Sequence, residues 1–249
     1  MDDLVIRWLS SFSDLTGVVI LSETKQRKWR RIQAEVKRVG LLRFFDIIAF
    51  RLYYNCFRSM KDERWLKGEV AWRKMQFPPP SQTIEYLTAH SPNSASCQEF
   101  ITKLKPDFVI ARCKTLLMER IFSIPTVGTF VIHPGICPEY RNAHGCFWAL
   151  ANQDINNVGA TLLKVDCGID TGAVFDYYHY DRPSSDDSHI MIQHRLLMEN
   201  LEQIKNKLIE IESGKATPIA THGRDSTVWG QPWMTAHRHF TRALRRMSR

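Results

Sequence analysis

The second half of this 249-residue chain alternates short apolar runs with amphipathic stretches, and this alternation limits the folds that it can adopt. The short runs predict buried strands, and apolar residues three and four positions apart predict helices between them. We predict strands at residues 17–21, 107–113, 127–133, 159–165 and 172–180. We predict helices at residues 2–13, 25–40, 41–58, 96–104, 115–123, 143–154 and 186–213. This order indicates an α/β fold with a mostly parallel sheet and helices on both faces.

A titratable side chain stands at the end of one predicted strand. His133 closes the run 127–133 and is followed at once by Pro134 and Gly135. In open α/β sheets the ligand crevice lies beyond the carboxyl ends of the strands. A lone histidine in such a place is more often structural, so the functional interpretation needs a second group.

The loop "VDCGIDTGAV" supplies that group. Asp166 and Asp170 lie in it, between glycines that let backbone approach a ligand closely. A carboxylate beside an imidazole orients the ring and builds a pair that can pass a proton. Asp166 fits a second interpretation equally well, because an aspartate often caps its own turn.

Two longer segments carry a family resemblance. "IHPGICPEYRNAHGCFWAL" and "GATLLKVDCGIDTG" resemble the folate-dependent formyltransferase family in residue types, order and spacing. The matching residues are His133, Pro134, Gly135, Pro138, Tyr140, Arg141, Trp148, Ala149, Gly159, Thr161, Asp166, Gly168, Asp170 and Gly172. The resemblance implies a Rossmann-like fold of the formyltransferase type. It also implies transfer of a formyl group from 10-formyltetrahydrofolate to a primary amine of a small, anionic substrate.

The same resemblance implies roles for single residues. His133 and Asp170 take the catalytic positions. The folate is expected against the residues Leu116, Leu117, Asp166, Cys167 and Gly168. The acceptor substrate is expected at the residues Gly135, Tyr140 and Arg141. A tRNA acceptor is not expected, because the family's tRNA formyltransferases carry a further carboxy-terminal domain.

Two positions depart from the family pattern. Val131 stands where the family has an asparagine that helps to stabilise the oxyanion, and Leu163 stands where many members have a histidine. Valine has no donor, and losing one oxyanion donor costs on the order of 10²–10³ in rate. Asn142 offers a polar side chain nearby. The alternative to an active enzyme is therefore a catalytically impaired relative that binds folate or another ligand.

The domain organisation follows from these patterns. We expect a formyltransferase-like α/β domain over 1–182, a long packing helix over 183–215 and a basic tail over 216–249. The family opens with a central strand, whereas this sequence opens with a predicted helix. The first strand of the domain is therefore expected to be missing.

The composition of the chain indicates what kind of partner it binds and in which cellular compartment it is expected. The formal net charge is +8, which favours anionic partners without choosing among them. Six cysteines without a C-x-x-C pair or an export signal predict reduced thiols in the cytoplasm. Cys137 and Cys146 are expected to be small buried residues. No metal site is expected, because His144 and His179 lack ligand spacing.

The most apolar window, residues 41–57, is interrupted by Arg43, Asp46 and Arg51 and is shorter than a spanning helix. We therefore predict no transmembrane segment. The basic stretch before the window is most simply a solvated helix face, and together they could instead rest on a membrane surface. Self-association through 41–57 into a homo-oligomer is the remaining prediction for this window.

Overall fold

The computed structural model describes residues 1–180 and 184–247. The helices of this part of the chain are α1 (Asp2–Ser10), α2 (Lys25–Phe57), α3 (Ser59–Lys74), α4 (Ala95–Leu104), α5 (Glu119–Phe122), α6 (Gly145–Ala151), α7 (His189–Glu199), α8 (Leu201–Glu212) and α9 (Met234–Met247). The strands are β1 (Gly17–Leu21), β2 (Glu85–Ala89), β3 (Phe108–Ala111), β4 (Gly128–His133), β5 (Arg141–Asn142), β6 (Gly159–Lys164), β7 (Val174–His179) and β8 (Val228–Trp229).

The strands form one four-stranded sheet and two small parallel pairs. The sheet has the order β3-β4-β6-β7, and β1 pairs with β2 and β5 with β8. β3 runs parallel to β4, whereas β6 is antiparallel to both of its neighbours. Three of the five pairings in the described residues are parallel, which confirms the predicted α/β class.

β2 is a strand that sequence patterns did not predict. Polar and apolar residues mix in Glu85–Ala89, and most of its side chains are exposed, so its hydrophobic signal is weak. It forms because β1 offers a parallel edge from Gly17 to Leu21. In the part of the chain that the structure describes, β1 has no strand on its other edge. The expectation that the domain lacks a first strand stays a prediction.

Two long helical predictions differ in detail from the structure. α2 contains a break at Gly40, whose φ of 76° is outside the helical region, so the predicted boundary between 25–40 and 41–58 is correct. The predicted helix 186–213 is two helices, because Asn200 separates α7 from α8. The predicted domain boundary between residues 182 and 183 lies outside the described residues.

The segment predicted as a basic tail, 216–249, contains a packed helix, α9. α9 packs against α6, with Phe240, Ala243 and Leu244 buried in the main core. Arginines and histidines occupy the positions between these apolar residues. Because most of the segment is basic, the apolar residues at helical spacing were not recognised in the sequence. The last two residues of the predicted tail, 248–249, lie outside the described residues.

The core encloses α6 and thereby fixes the loop before it. Gly145 to Leu150 are all buried, between β6, α7 and α9. Phe147 stacks on Phe240 of α9 with ring centroids 5.1 Å apart. The chain entering α6 therefore sits on a rigid support, next to the end of β4.

Within residues 1–180 and 184–247, no helix has both the length and the apolar character that a bilayer crossing needs. The outer face of α2 nevertheless carries apolar side chains in water. Leu42 is 90% exposed, and Leu41 and Phe45 are also largely exposed. The inner face of the same helix contributes Ile47 and Phe50 to the interior.

Candidate functional site

His133 is the last residue of β4, and it lies at the centre of the candidate site. It is only 4% exposed. Its Nε2 lies 2.8 Å from the carbonyl oxygen of Tyr140, and its Nδ1 lies 3.4 Å from Oδ2 of Asp170. Both neighbours are hydrogen-bond acceptors, so each ring nitrogen finds a partner when it carries a proton. The structure thus brings together the two residues that were predicted to be catalytic.

Glycine is required beside the imidazole. A Cβ on Gly135 would lie 2.4 Å from the Tyr140 carbonyl oxygen and 2.7 Å from Nε2 of His133. A Cβ on Gly145 would lie 2.4 Å from the Cα of Gly135. The two glycines therefore allow the turn after β4 and the start of α6 to approach closely enough to hold the ring.

Thr161 fixes the same turn from the neighbouring strand. It pairs with His133 across β4 and β6. Its buried hydroxyl donates to the carbonyl oxygen of Gly135 at 2.7 Å and accepts from the backbone N–H of Cys137 at 3.0 Å. The threonine of the family motif thus has a positioning role here.

Asp170 reaches the site by an indirect route. β6 runs away from His133, because Phe130 pairs with Lys164, so the loop between β6 and β7 starts at the far end of β4. The loop folds back, and Asp170 accepts from the backbone N–H of Asn142 at 2.7 Å. Arg141 also ties the loop down by donating to the carbonyl oxygen of Ile169 at 3.1 Å. Residues 141–142 therefore set the position of the carboxylate.

Asp166 caps its own turn. Its Oδ1 accepts from the backbone N–H of Gly168 at 2.9 Å and from the hydroxyl of Thr171 at 2.7 Å. A Cβ on Gly172 would lie 1.8 Å from the carbonyl oxygen of Lys164, so the exit of the loop requires glycine. The structure favours the turn-capping interpretation of Asp166.

The two departures from the family pattern lie next to each other. Val131 and Leu163 are register partners, and they pack in one small apolar cluster with Cys137 and Val174. Val131 is two residues before His133 and faces the same side of β4. Asn142 does not replace the missing donor, because its side-chain amide donates to the carbonyl oxygen of Trp229.

The segments predicted to hold folate meet at a second apolar cluster. Leu117 is buried with Ile101 and Ile121, and Val165, at the base of the Asp166 loop, packs against the same cluster. Leu116 is 50% exposed, and Cys167 is also exposed. Because β3 is parallel to β4, the segment after β3 begins at the edge of the sheet where His133 lies.

Only some of the residues predicted to bind the acceptor face the candidate site. Gly135 and Arg141 line the turn beside His133, as described above. The ring of Tyr140 is turned into the core, where its hydroxyl donates to Asp154 at 2.9 Å and burial raises its pKa to about 12. Tyr140 therefore presents its carbonyl oxygen, not its side chain, to the site.

Neither cysteine near the site resembles a nucleophile. Burial raises the pKa of the Cys137 thiol to about 12, and the nearby Asp170 carboxylate adds to this shift. Burial also raises the pKa of Cys146 to about 12. Both thiols are protonated at neutral pH. In the described ranges, no three His, Cys, Asp or Glu side chains are grouped so that they could hold a metal ion.

A brace behind the site was missed in the sequence. Arg224 donates to both carboxylate oxygens of Glu139, at 2.8 and 2.7 Å, and to the hydroxyl of Tyr177. Trp229 donates to the carbonyl oxygen of Glu139 at 2.9 Å. No short-range pattern links residues 85 or 90 positions apart, so only the tertiary structure reveals this contact.

Comparisons with known proteins identify the family of the chain. A family model described as Formyl transferase matches residues 66–203. A methionyl-tRNA formyltransferase of Dehalococcoides mccartyi (strain CBDB1) is 34% identical over 105 residues, which are 39% of this chain and 33% of that protein. The corresponding protein of Methylacidiphilum infernorum (isolate V4) is 34% identical over 130 residues, 51% of this chain and 39% of that protein. The chain thus spans about a third to two fifths of the length of these curated relatives.

The fold has a counterpart among solved structures. A sugar N-formyltransferase from Shewanella sp FDAARGOS_354 matches with a TM-score of 0.52 at 14% identity, covering 93% of this chain and 88% of that chain. This likeness concerns the fold alone and confirms the Rossmann-like class. The family match covers more than half of the chain and includes both His133 and Asp170. The chain therefore belongs to the formyl transferase family.

Proposed function

We propose that the protein transfers a formyl group from 10-formyltetrahydrofolate to a primary amine of a small, anionic substrate. The observation that carries this proposal is the contact of 3.4 Å between Nδ1 of His133 and Oδ2 of Asp170, inside the region that matches the family. The basic balance of the chain, +8, supports an anionic acceptor.

The reaction needs three things from the protein. The amine nitrogen attacks the formyl carbon, and the formyl oxygen becomes an oxyanion that needs a donor. The bond from that carbon to the folate nitrogen then breaks. The amine must lose a proton, and the leaving folate nitrogen must gain one.

His133 and Asp170 suit the proton steps. The described contacts of Asp170 both use Oδ2, so Oδ1 is the oxygen that we assign to the incoming amine. The proton then passes through the carboxylate to His133, which returns it to the folate nitrogen. The backbone N–H of Asn142 keeps the carboxylate in place while this happens.

We assign the pterin to the surface between the segment after β3 and the Asp166 loop. Leu116 and Ile169 expose apolar side chains on these two segments. Leu117 and Val165 join the segments through one cluster beneath them. An apolar wall next to exposed backbone groups suits a planar heterocycle with hydrogen-bonding edges.

A second candidate is a catalytically impaired relative that binds folate or another ligand. Val131 and Leu163 form an apolar patch where the family has donors, and the amide of Asn142 is bound to Trp229. Under this alternative the folate surface is intact and the oxyanion has no donor. Binding is then expected without turnover.

The amine that accepts the formyl group could belong to a small molecule or to an aminoacyl-tRNA. The two curated relatives described above are named methionyl-tRNA formyltransferases, so a tRNA acceptor, although not expected from the sequence, stays among the candidates. We favour a small amine and include methionyl-tRNA in the test.

A cytoplasmic location and self-association through the exposed outer face of α2 are further proposals. Sedimentation velocity tests the second, and a monomer at all concentrations contradicts it.

The test of function combines binding with single-turnover formylation of a panel of small primary amines and of methionyl-tRNA. We expect a 10-formyltetrahydrofolate analogue to bind in calorimetry, and His133→Ala or Asp170→Asn to lower the formylation rate by about 10²- to 10⁴-fold. His179→Ala and Asp225→Asn change exposed residues of the same types and serve as controls. Binding without formylation of any amine favours the impaired relative. If the analogue does not bind, the transferase and a folate-binding relative are both ruled out, and only a relative that binds another ligand is left.

A further inference from the structure

A second pocket lies beside the candidate site, between the inner face of α2 and the starts of α6 and α7. Its volume is about 240 Å³, and its walls include Phe50, Tyr54, His144, His189 and Gln231. Cavities for drug-sized ligands measure about 300–1,000 Å³, so this one suits a group of a single ring. α2 and Gln231 lie outside residues 66–203, whereas His144 and His189 lie inside that range, so the family match contains only part of the pocket wall.

The pocket is connected to the candidate site through one turn. His144 follows Asn142 by two residues, and Asn142 donates its backbone N–H to Asp170. The next residue, Gly145, packs on Gly135 beside His133. A ligand in this pocket thus lies against the turn whose residues Asn142 and Gly145 contact Asp170 and Gly135.

Two imidazoles in the pocket are neutral. Burial lowers the pKa of His144 to about 4 and that of His189 well below its ordinary value. The His144 ring is hydrogen-bonded within the chain, because its Nδ1 accepts from the amide of Gln193 at 3.0 Å and the side chain of Gln231 bonds the same ring. The described contacts of the His189 ring are all with other rings, although the residue is only 7% exposed. A buried polar ring without a hydrogen bond at a cavity wall indicates a partner that comes from outside the chain.

The remaining walls define the chemistry of that partner. The rings of Phe50 and Tyr54 each lie 4.9 Å from the His189 ring, and they offer apolar surface. Arg51 is exposed and also lines the pocket, where one of its nitrogens donates to Gln231 at 3.2 Å. The other guanidinium N–H groups are geometrically suited to an oxyanion such as phosphate.

We propose that this pocket is an acceptor-side subsite, which holds one ring with neutral hydrogen-bonding groups while Arg51 binds a phosphate attached to it. The proposal rests on the proposed formyl transfer, because it makes the bound ring part of the acceptor. A sugar ring and a nucleobase share this chemistry, so the test includes both. His189 supplies a donor and an acceptor to the ring, and Arg51 selects the charged form.

The first experiment measures binding directly, by ligand-observed NMR on the full chain. The probes are glucosamine 1-phosphate, glucosamine and uridine monophosphate. We expect at least one phosphorylated probe to bind, and His189→Phe to weaken it about 3- to 10-fold, the range for one neutral hydrogen bond. His194→Phe on the same helix is the matched control, because His194 does not line the pocket.

Arg51→Gln tests the phosphate contact separately. Because Arg51 is exposed, this substitution is not expected to disturb folding. We expect it to remove the preference for the phosphorylated over the unphosphorylated sugar, whereas Arg30→Gln on the same helix keeps it. The proposal is overturned if no probe binds, or if binding is unaffected by both pocket variants.

Kinetics then separate this proposal from the proposed function. With an amine that is formylated, His189→Phe should raise KM for the acceptor about 3- to 10-fold and leave kcat and the affinity for the folate analogue unchanged. An unchanged KM with normal folate binding overturns the subsite alone. If the wild type neither binds the folate analogue nor formylates any amine, the proposed function fails, and the binding data still decide whether the pocket binds a ring.

Discussion

At the scale of single residues, Val131 and Leu163 are the two departures from the family pattern that we expect to affect the chemistry of the site. They replace two polar side chains, and they pack together in one apolar cluster next to His133. The two replacements are thus one structural change, because each side chain covers the apolar surface of the other. A polar group placed there must either reach the cleft or lose its hydrogen bonds.

Val131→Asn tests whether an oxyanion donor is missing. If the amide reaches the cleft, the single-turnover formylation rate should rise by about 10- to 1000-fold, the range for one well-placed donor. The unfolding free energy should fall by about 1–3 kcal/mol, because Leu163 and Val174 offer the amide no partner. Val131→Ala removes the same side chain without adding a donor and is the control. A wild type that reacts fast and gains nothing from asparagine would show that another group stabilises the oxyanion.

Gly135 is predicted to be intolerant of any side chain. Gly135→Ala places a Cβ 2.4 Å from the carbonyl oxygen of Tyr140, so the turn must shift and His133 loses its partner. We expect a loss of about 1–3 kcal/mol in urea unfolding together with loss of formylation. Gly68→Ala is the matched control. It lies in α3 with no atom near its Cβ, and it should stabilise the protein by about 0.5–1 kcal/mol. Equal effects of the two substitutions would contradict the assignment.

Cys167 reports on the folate surface. Cys56 and Cys167 are both exposed, so both should react with a thiol reagent in the native protein, while buried Cys146, whose pKa is raised to about 12, reacts only after unfolding. Because we assign the pterin to the Asp166 loop, a folate analogue should slow the labelling of Cys167 at least about tenfold and leave Cys56 unchanged. Mass spectrometry of the labelled peptides measures this. Equal rates with and without the analogue place the pterin elsewhere.

At the scale of elements, the site depends on the loop between β6 and β7, which runs back along the sheet to His133. The antiparallel direction of β6 puts the start of the loop at the wrong end of β4, and the fold-back brings Asp170 to His133. Hydrogen bonds from Arg141 and Asn142 hold the returning chain. Residues outside the loop therefore hold it in position, and the glycines of the loop only remove the steric clashes that a side chain would cause.

The pairing pattern also predicts unequal stability among the strands. Among residues 1–180 and 184–247, β4 and β6 each have two partner strands, whereas β1 and β2 pair only with each other. A two-stranded pair has few hydrogen bonds and little buried surface to hold it. Amides of Val18–Ile20 that bond to β2 should exchange at least about tenfold faster than those of Phe130–Ile132, in hydrogen exchange followed by mass spectrometry. Similar protection in both segments would mean that β1 has a further partner in solution.

At the scale of the whole molecule, the carboxy-terminal residues belong to the same core as the site. Phe240 of α9 stacks on Phe147 of α6, and the loop that carries Asn142 leads directly into α6. Segment 219–229 braces the site from the other side through Arg224 and Trp229. One cooperative unit therefore includes both the site and its support.

Phe240→Ala should lower the unfolding free energy by about 3–5 kcal/mol, because it leaves a cavity in the core between α6 and α9. His239→Ala, at the exposed neighbouring position, should stay within about 0.5 kcal/mol of the wild type. Urea unfolding gives both values. If the two substitutions have the same small effect, α9 is not packed on the core in solution.

The sequence by itself determined the local features of this protein. Period-2 and period-3.6 patterns located most strands and helices, and Gly40 marked the break in α2, because these signals depend only on neighbours along the chain. The Pro-Gly turn singled out His133 and the glycine-flanked loop singled out Asp166 and Asp170 for the same reason, and the family resemblance then chose Asp170.

Only the tertiary structure decided what is distant in the chain. The direction of β6, the packing of Val131 on Leu163 and the turning of Tyr140 into the core all depend on partners far apart in sequence. The same holds for the pocket of His144 and His189, whose rings are 45 positions apart in sequence and 5.2 Å apart in space. Local propensity carries no information about such contacts, because they form only when the whole chain has closed around its core.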